Sequence, residues 1–242
     1  MKSIFKKELT SFFSSPIGYL VIAVYLLING LFLWVFEGSF NILHAGFADL
    51  NSYFFLAPWI FIFLIPAITM RSFSDEINAG TIEILKTKPL TTWQIIFGKY
   101  FGALVLVIAA IIPTLIYVFS IYQLGNPVGN ISFGTTFGSF IGLLFLAGSY
   151  TAIGIFSSTL SKNQIVSFII AVFISFFLYY GFEALASYNL FGNLDYTIQN
   201  IGMSGHFNSI SKGVIDTRDL IYFFSISFLF LYLTNLRIQN EK

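Results

Sequence analysis

Few residues of this chain have side chains that could support metal binding or acid–base catalysis. The sequence contains two histidines, His44 and His206, and Asp49 lies close to the first of them. Metal and catalytic sites usually show a recognisable spacing, such as H-E-x-x-H or a pair of carboxylates, and neither histidine has such neighbours. We therefore interpret these three residues as surface polar groups, and we predict no catalytic residue, no metal and no cofactor.

Other sources of chemistry are missing from the sequence as well. It has no G-x-x-x-x-G-K-[ST] motif, so no loop of its own cradles a nucleotide phosphate. It has no cysteine, which excludes thiolate ligands, Cys nucleophiles and disulfides. Its long apolar stretches carry no charged residue near their middle, whereas proton- and ion-coupled transporters usually need one there. Any energy from a nucleotide must come from another polypeptide.

The composition is that of a protein embedded in a membrane. Hydrophobic residues make up 57% of the chain and charged residues 10%, against about 25% charged in soluble domains. Apolar windows long enough to cross a bilayer predict an all-α, polytopic fold in a single domain, residues 1–242. The six predicted spans cover about 16–36, 52–70, 100–122, 133–160, 164–182 and 220–236.

The distribution of basic residues predicts the orientation of these spans. Cytoplasmic loops retain Lys and Arg, and with the N-terminus inside only Lys212 and Arg218 fall on the outer side. Both termini and the loop between spans 2 and 3 are therefore expected in the cytoplasm. Residues 183–219 are then expected outside.

The residues before the first span are predicted to form an interfacial helix, about 3–14. Apolar side chains share one helical face and basic side chains can reach lipid phosphates: Phe5, Leu9, Phe12 and Phe13, with Lys2, Lys6 and Lys7. The alternative is a disordered basic tail that serves only orientation.

Two features concern helix packing and helix ends. Gly134, Gly138 and Gly142 lie four residues apart on one face of span 4, with a weaker copy at Gly98 and Gly102, so another helix can approach closely. The partner is either a helix of the same chain or a second subunit. At span 6, Asp216 suits an N-cap, and Asp219 lies in the first turn, where a carboxylate favours the helix dipole.

The loop from Met70 to Pro89 is unusual for its density of charge between two apolar spans. It holds Arg71, Asp75, Glu76, Glu83, Lys86 and Lys88. Ile82 and Leu85 share one helical face, while Glu83 and Lys86 share another, as expected of a short helix that docks into a partner's groove. A break at residues 78–80 would separate it from a preceding helix. The alternative is a solvated loop that only supplies positive charge on the inside.

Two stretches resemble a known family. The sequence R-S-F-S-D-E-I-N-A-G-T-I-E-I-L-K-T-K-P-L, followed by W-Q-I-I-F-G-K-Y, is similar to the loop between spans 2 and 3 of ABC-2 type transporter permeases. In that loop an acidic residue, Gly-Thr and an apolar turn precede a Gly-Lys pair. The stretch H-F-N-S-I-S-K-G-V-I-D-T-R-D-L-I-Y-F resembles the family's entry into its last span.

The resemblance implies a permease subunit of an exporter in the bacterial inner membrane, with ATP hydrolysis on a separate ATPase subunit. It implies an elbow helix at the N-terminus, helices that re-enter from outside within 183–219, contact with membrane lipid, and a second permease subunit of the same or related sequence. No nucleic acid is expected. The ATPase-coupling residues that it nominates are Glu76, Gly80, Thr81, Ile82, Glu83 and Leu85. A membrane scaffold without transport activity is the alternative function.

Overall fold

The computed structural model describes residues 1–44, 46–83, 89–188, 192, 195–214 and 216–240. Over these residues the regular secondary structure is helical, without a strand. Six helices are long and apolar enough to cross a membrane, and we number them spans 1 to 6: Pro16–Val35, Asn51–Asn78, Thr92–Leu124, Phe133–Ser158, Gln164–Ser187 and Thr217–Asn240. The predicted all-α fold with six spans is confirmed.

Spans 4 and 6 are continuous α-helices, whereas the other four are assembled from consecutive pieces. Span 1 ends in a π-helical turn, Leu31–Val35, and span 5 contains a second one, Phe177–Gly181. Span 2 consists of Asn51–Thr69 and, after a turn at Met70, Arg71–Asn78. The α-helical pieces of the other three are Pro16–Gly30 in span 1, Thr92–Ile111 and Leu115–Leu124 in span 3, and Gln164–Phe176 and Phe182–Ser187 in span 5.

Four of the spans, 2, 3, 5 and 6, extend beyond the apolar windows that predicted them, because capping groups rather than hydropathy end a helix. Span 3 was predicted from residue 100 but begins at Thr92. Thr91 Oγ1 accepts a hydrogen bond from Gln94 N, and Gln94 Oε1 accepts one from Thr91 N, each at 3.3 Å. This reciprocal capping box satisfies amides that would otherwise lack partners at the start of the helix.

The prolines of spans 2 and 3 have different local effects. Pro66 lies inside the uninterrupted helix Asn51–Thr69, whereas Pro113 lies in a three-residue 3₁₀ turn, Ile112–Thr114. Within that turn Thr114 Oγ1 donates a hydrogen bond to the carbonyl of Ile111 at 2.6 Å. The side chain thereby satisfies a carbonyl beside the proline, as membrane helices require where no water is present.

Span 4 is the centre of the bundle. In its most apolar window 72% of the residues are buried, against 28% in span 1 and in span 5. Small residues allow this central position: a Cβ at Gly154 would collide with the side chain of Thr69 in span 2, and one at Gly148 would lie 3.0 Å from Tyr100 Oη in span 3. Spans 1 and 5 therefore present most of their apolar surface to the outside of the chain.

The residues before span 1 form a helix, Lys2–Phe13, that packs on the start of span 3. A Cβ at Gly98 would lie 2.8 Å from Ile4, and one at Gly102 would lie 2.7 Å from the Cβ of Glu8. The weaker glycine pair of the sequence is thus the groove that receives this N-terminal helix. We call this end of the bundle the near end.

The opposite end, which we call the far end, carries two short helices between spans 5 and 6, Asp195–Gln199 and Met203–Ser211. The second helix buries Met203, Phe207 and Ile210, and it lies on the beginning of span 4. It packs against span 4 closely enough that a Cβ at Gly138 would collide with its backbone. The far end is therefore a folded part of the bundle.

The glycine stripe of span 4 faces this far-end helix. A Cβ at Gly138 would lie 2.6 Å from the carbonyl oxygen of Ile210, and one at Gly142 would lie 3.2 Å from the ring of Phe207. A Cβ at Gly134 would meet nothing within 4 Å. Gly138 and Gly142 therefore pack against a short helix of the same chain and not against another span.

Candidate functional site

The charged loop after span 2 is largely helical in the part that the structure describes. The helix Arg71–Asn78 is the last piece of span 2 and buries Ser72, Phe73 and Ser74. Gly80 has φ +66°, a conformation that side chains other than glycine rarely adopt, and residues 81–83 are helical again. The structure therefore has a helix, a glycine break and the start of a second helix. We call residues 71–83 the junction segment.

A buried lysine of span 3 holds the junction segment in place. Lys99 is 3% exposed, and its Nζ lies 3.0 Å from Glu8 Oε1 and 3.0 Å from Glu76 Oε1. The ammonium also donates to the carbonyl of Ser72 at 2.6 Å and lies 5.0 Å from the centre of the Phe73 ring. One cation thus binds the N-terminal helix, the junction segment and span 3 together.

This cluster stabilises the fold only while each of its buried charges has a partner. Removing one partner of a buried ion pair leaves an uncompensated charge and typically costs about 3–5 kcal/mol, whereas exposed pairs contribute about 0–1 kcal/mol. Lys7 Nζ also lies 3.3 Å from Glu76 Oε1, but the Lys7 side chain is 64% exposed. We therefore assign the structural role to Lys99 and a minor one to Lys7.

Two further contacts tie the junction segment to its surroundings. Asp75 Oδ1 accepts a hydrogen bond from Gln164 Nε2, which connects the segment to the beginning of span 5. The guanidinium of Arg71 lies 5.4 Å from the centre of the Phe12 ring in the N-terminal helix.

The nominated coupling residues do not form one exposed surface. Ile82 is only 8% exposed in the free chain, and its role in docking to an ATPase stays a prediction. Thr81 and Glu83 are exposed on either side of it, and Thr81 Oγ1 donates to the carbonyl of Glu76 at 3.3 Å. Leu85 lies outside the described residues.

His206 is part of a polar cluster at the far end and is not the surface group that we expected. Its Nδ1 lies 2.7 Å from Asp219 Oδ1 and its Nε2 lies 2.8 Å from the carbonyl oxygen of Asn200. The ring stacks on Tyr222 with centroids 3.9 Å apart. His44 is exposed, and no group of three His, Cys, Asp or Glu residues in the described chain could hold a metal ion.

The two aspartates at the start of span 6 have different positions. Asp216 precedes the helix Thr217–Asn240, and its Oδ1 accepts a hydrogen bond from Arg218 N at 2.9 Å. Asp219 is 5% exposed and holds His206, so it connects span 6 to the far-end helix Met203–Ser211. Sequence reasoning placed Asp219 in the first turn but missed this partner.

Sequence reasoning also missed the role of Lys99. Lys99 and Glu8 are 91 positions apart. In the sequence, Lys99 stands out only as the lysine of the Gly-Lys pair in the family resemblance, and Glu8 belongs to no motif named there. The glycines near Lys99 could have indicated this role. A helix that packs on Gly98 and Gly102 brings its polar residues close to Lys99. The amphipathic N-terminal segment is the helix that fits this groove.

Six apolar helices in the described part of the chain, with a charged segment at the end of span 2 and an amphipathic helix before span 1, define a polytopic membrane protein. Comparison with protein families gives the particular class: residues 3–201 match the model of the ABC-2 family transporter proteins. The chain belongs to this family, and it is a membrane permease subunit of an ABC transporter. A search of curated proteins found no match.

Proposed function

We propose that this permease couples a separate ATPase subunit to export and that the junction segment, residues 71–83, is the surface that the ATPase contacts. The observation that carries the proposal is the burial of Lys99 between Glu8 and Glu76. A segment that receives force from a partner must be rigidly attached to the elements that it moves, and these ion pairs attach it to span 3 and to the N-terminal helix. The helix Arg71–Asn78 is itself the last piece of span 2.

The surface that meets the ATPase is formed by the exposed residues around the glycine break. Gly80, Thr81 and Glu83 are exposed, whereas Ile82 turns into the chain and anchors the segment. Glu76 has a structural role in this arrangement, since its Oε1 lies beside Lys99 and its buried Oε2 has no hydrogen-bond partner. Leu85 is included from the family resemblance alone.

The orientation follows from charge. Lys and Arg are concentrated at the near end, which supports a cytoplasmic position for both termini and for the junction segment. On the N-terminal helix Lys2, Lys6 and Lys7 are exposed beside half-buried apolar residues, as suits a helix lying at the inner surface of a bacterial inner membrane.

A second permease subunit completes the transporter in this proposal. Spans 1 and 5 each bury only 28% of their most apolar window within the chain, which leaves apolar surface for lipid and for another six-span subunit. The whole sequence resembles the permease associated with bacterial gliding motility, and this resemblance is the support for a role in a gliding-motility complex.

The test is photo-crosslinking in membranes with a crosslinking amino acid at exposed positions. A crosslinker at Glu83 is expected to capture a nucleotide-hydrolysing subunit. The matched control is Glu37, an exposed carboxylate in the loop between spans 1 and 2, which should capture none. A membrane scaffold without transport function predicts no ATPase at either position, and that result would contradict the proposal.

A further inference from the structure

A pocket at the far end combines aromatic rings with a carboxylate. Its cavity of about 290 Å³ lies between spans 2, 4 and 5 and the helix Met203–Ser211. The lining residues that define its chemistry are Asn51, Phe55, Trp59, Tyr179, Tyr180 and Glu183. Ligand pockets usually have volumes of about 300 Å³ or more, so this cavity is among the smallest of them. Its size suits a headgroup or a small metabolite.

The aromatic wall is preorganised around Trp59. The Trp59 ring lies 5.4 Å from the Tyr180 ring and 5.6 Å from the Tyr179 ring, measured between centroids. Tyr179 is 6% exposed and thus fixed in the bundle, whereas Tyr180 is 39% exposed at the mouth of the pocket. All three rings line the cavity. The face of an aromatic ring carries negative potential, and proteins recognise quaternary ammonium groups with such rings.

The carboxylate of Glu183 has no counterion among the described residues. Its Oε2 accepts a hydrogen bond from Ser204 Oγ at 2.7 Å. This bond connects the end of span 5 to the helix Met203–Ser211 and holds the carboxylate in place. None of the described residues that line the pocket is Lys or Arg. The near end differs, because each carboxylate around Lys99 is paired there. A half-buried negative charge beside aromatic rings is complementary to a cation of low hydration.

We propose that this pocket binds an organic ammonium group, with Trp59 and Tyr180 against its methyl or methylene carbons and Glu183 compensating its charge. Aromatic residues alone are common near membrane surfaces and would not indicate a ligand. The unpaired carboxylate among them is what selects a cation. The inference does not depend on the ATPase contact, since binding can be measured on the permease without nucleotide.

The test is equilibrium dialysis of radiolabelled choline against the full chain in nanodiscs of phosphatidylglycerol, a lipid without an amine. We expect saturable binding that weakens about tenfold or more in Glu183→Gln, which removes the charge and keeps the shape. Glu37→Gln removes an exposed carboxylate from the loop between spans 1 and 2 and should bind as the native chain does. If Glu183→Gln fails to fold, Tyr180→Leu at the mouth of the pocket is the second variant, and it should also weaken choline binding.

The control ligand is the neutral isostere of choline in which carbon replaces the quaternary nitrogen. We expect its affinity to be lower than that of choline by about tenfold or more. Nanodiscs that contain phosphatidylcholine or phosphatidylethanolamine distinguish the sources of the ammonium group. Competition with choline assigns a lipid headgroup, and unchanged choline binding assigns a soluble ligand. Equal binding of the neutral isostere, or equal weakening by Glu37→Gln, would overturn the proposal.

Discussion

The two ends of the bundle differ in how their charged side chains are paired. At the near end Lys99 is buried and paired with Glu8 and Glu76, so that three elements are locked together by one ammonium group. At the far end the carboxylate of Glu183 has no cation beside it in the described chain. That end is held together by packing of a short helix on Gly138 and by the contact between His206 and Asp219. This difference is the basis of the two proposals, coupling at the near end and ligand binding at the far end.

The largest effect is expected when the near-end cluster is broken. Lys99→Met leaves Glu8 and Glu76 close together without their cation, and we expect the free energy of unfolding to fall by about 3–5 kcal/mol. Equilibrium unfolding in detergent measures this change. Replacing the whole cluster, Glu8→Leu with Glu76→Leu and Lys99→Met, should recover most of the loss, because no buried charge then remains unpaired. A triple variant less stable than the single one would contradict this account.

The far end should instead be sensitive to volume. Gly138→Ala places a Cβ against the backbone of the helix Met203–Ser211 and should cost about 1–3 kcal/mol. Gly134→Ala meets open space and should be neutral or stabilise the helix by up to about 1 kcal/mol. Thermal unfolding of the two variants distinguishes them, and equal effects would show that the stripe packs elsewhere.

A smaller effect is expected at the start of span 6. Asp216 accepts a hydrogen bond from Arg218 N, so Asp216→Ala should lower local helix stability by about 0.5–2 kcal/mol. Hydrogen exchange of residues 217–221 is the measurement, with Asp49→Ala as the control at another far-end aspartate. Unchanged exchange in Asp216→Ala would exclude this cap.

The smallest effect is expected for the exposed ion pair of the near end. Lys7→Gln removes the contact with Glu76 but leaves Lys99 in place, and it should change stability by about 0–1 kcal/mol. Unfolding in detergent alongside Lys99→Met gives the comparison. Equal losses for the two variants would mean that burial does not distinguish Lys99 from Lys7.

Composition was sufficient to predict the fold class, because apolar windows longer than a bilayer thickness have few alternatives to membrane helices. It could not place helix ends: span 3 starts at Thr92 because Thr91 and Gln94 cap it, and a hydropathy window does not detect such bonds. The glycine stripe of span 4 predicted close packing, but its partner, the helix Met203–Ser211, depends on the tertiary fold.

The candidate site was only partly predictable. The sequence located the charged loop and its break near Gly80, since local residues determine both. It did not locate Lys99, whose partners lie in two other elements, and it placed Ile82 on the surface although the side chain is buried. Local periodicity distinguishes the faces of a helix, but it does not specify which face the rest of the chain covers.

The central claim is that the junction segment and the N-terminal helix move as one unit when the ATPase binds ATP. Double electron–electron resonance tests this in the permease–ATPase complex, with one spin label at Glu83 and the other at Lys6 or at Tyr188, all three exposed. Lys6 reports on the N-terminal helix and Tyr188 on the far end. The account predicts that ATP changes the distance from residue 83 to residue 188 while the distance from 83 to 6 stays constant. An equal change in both distances, or no change in either, would contradict it.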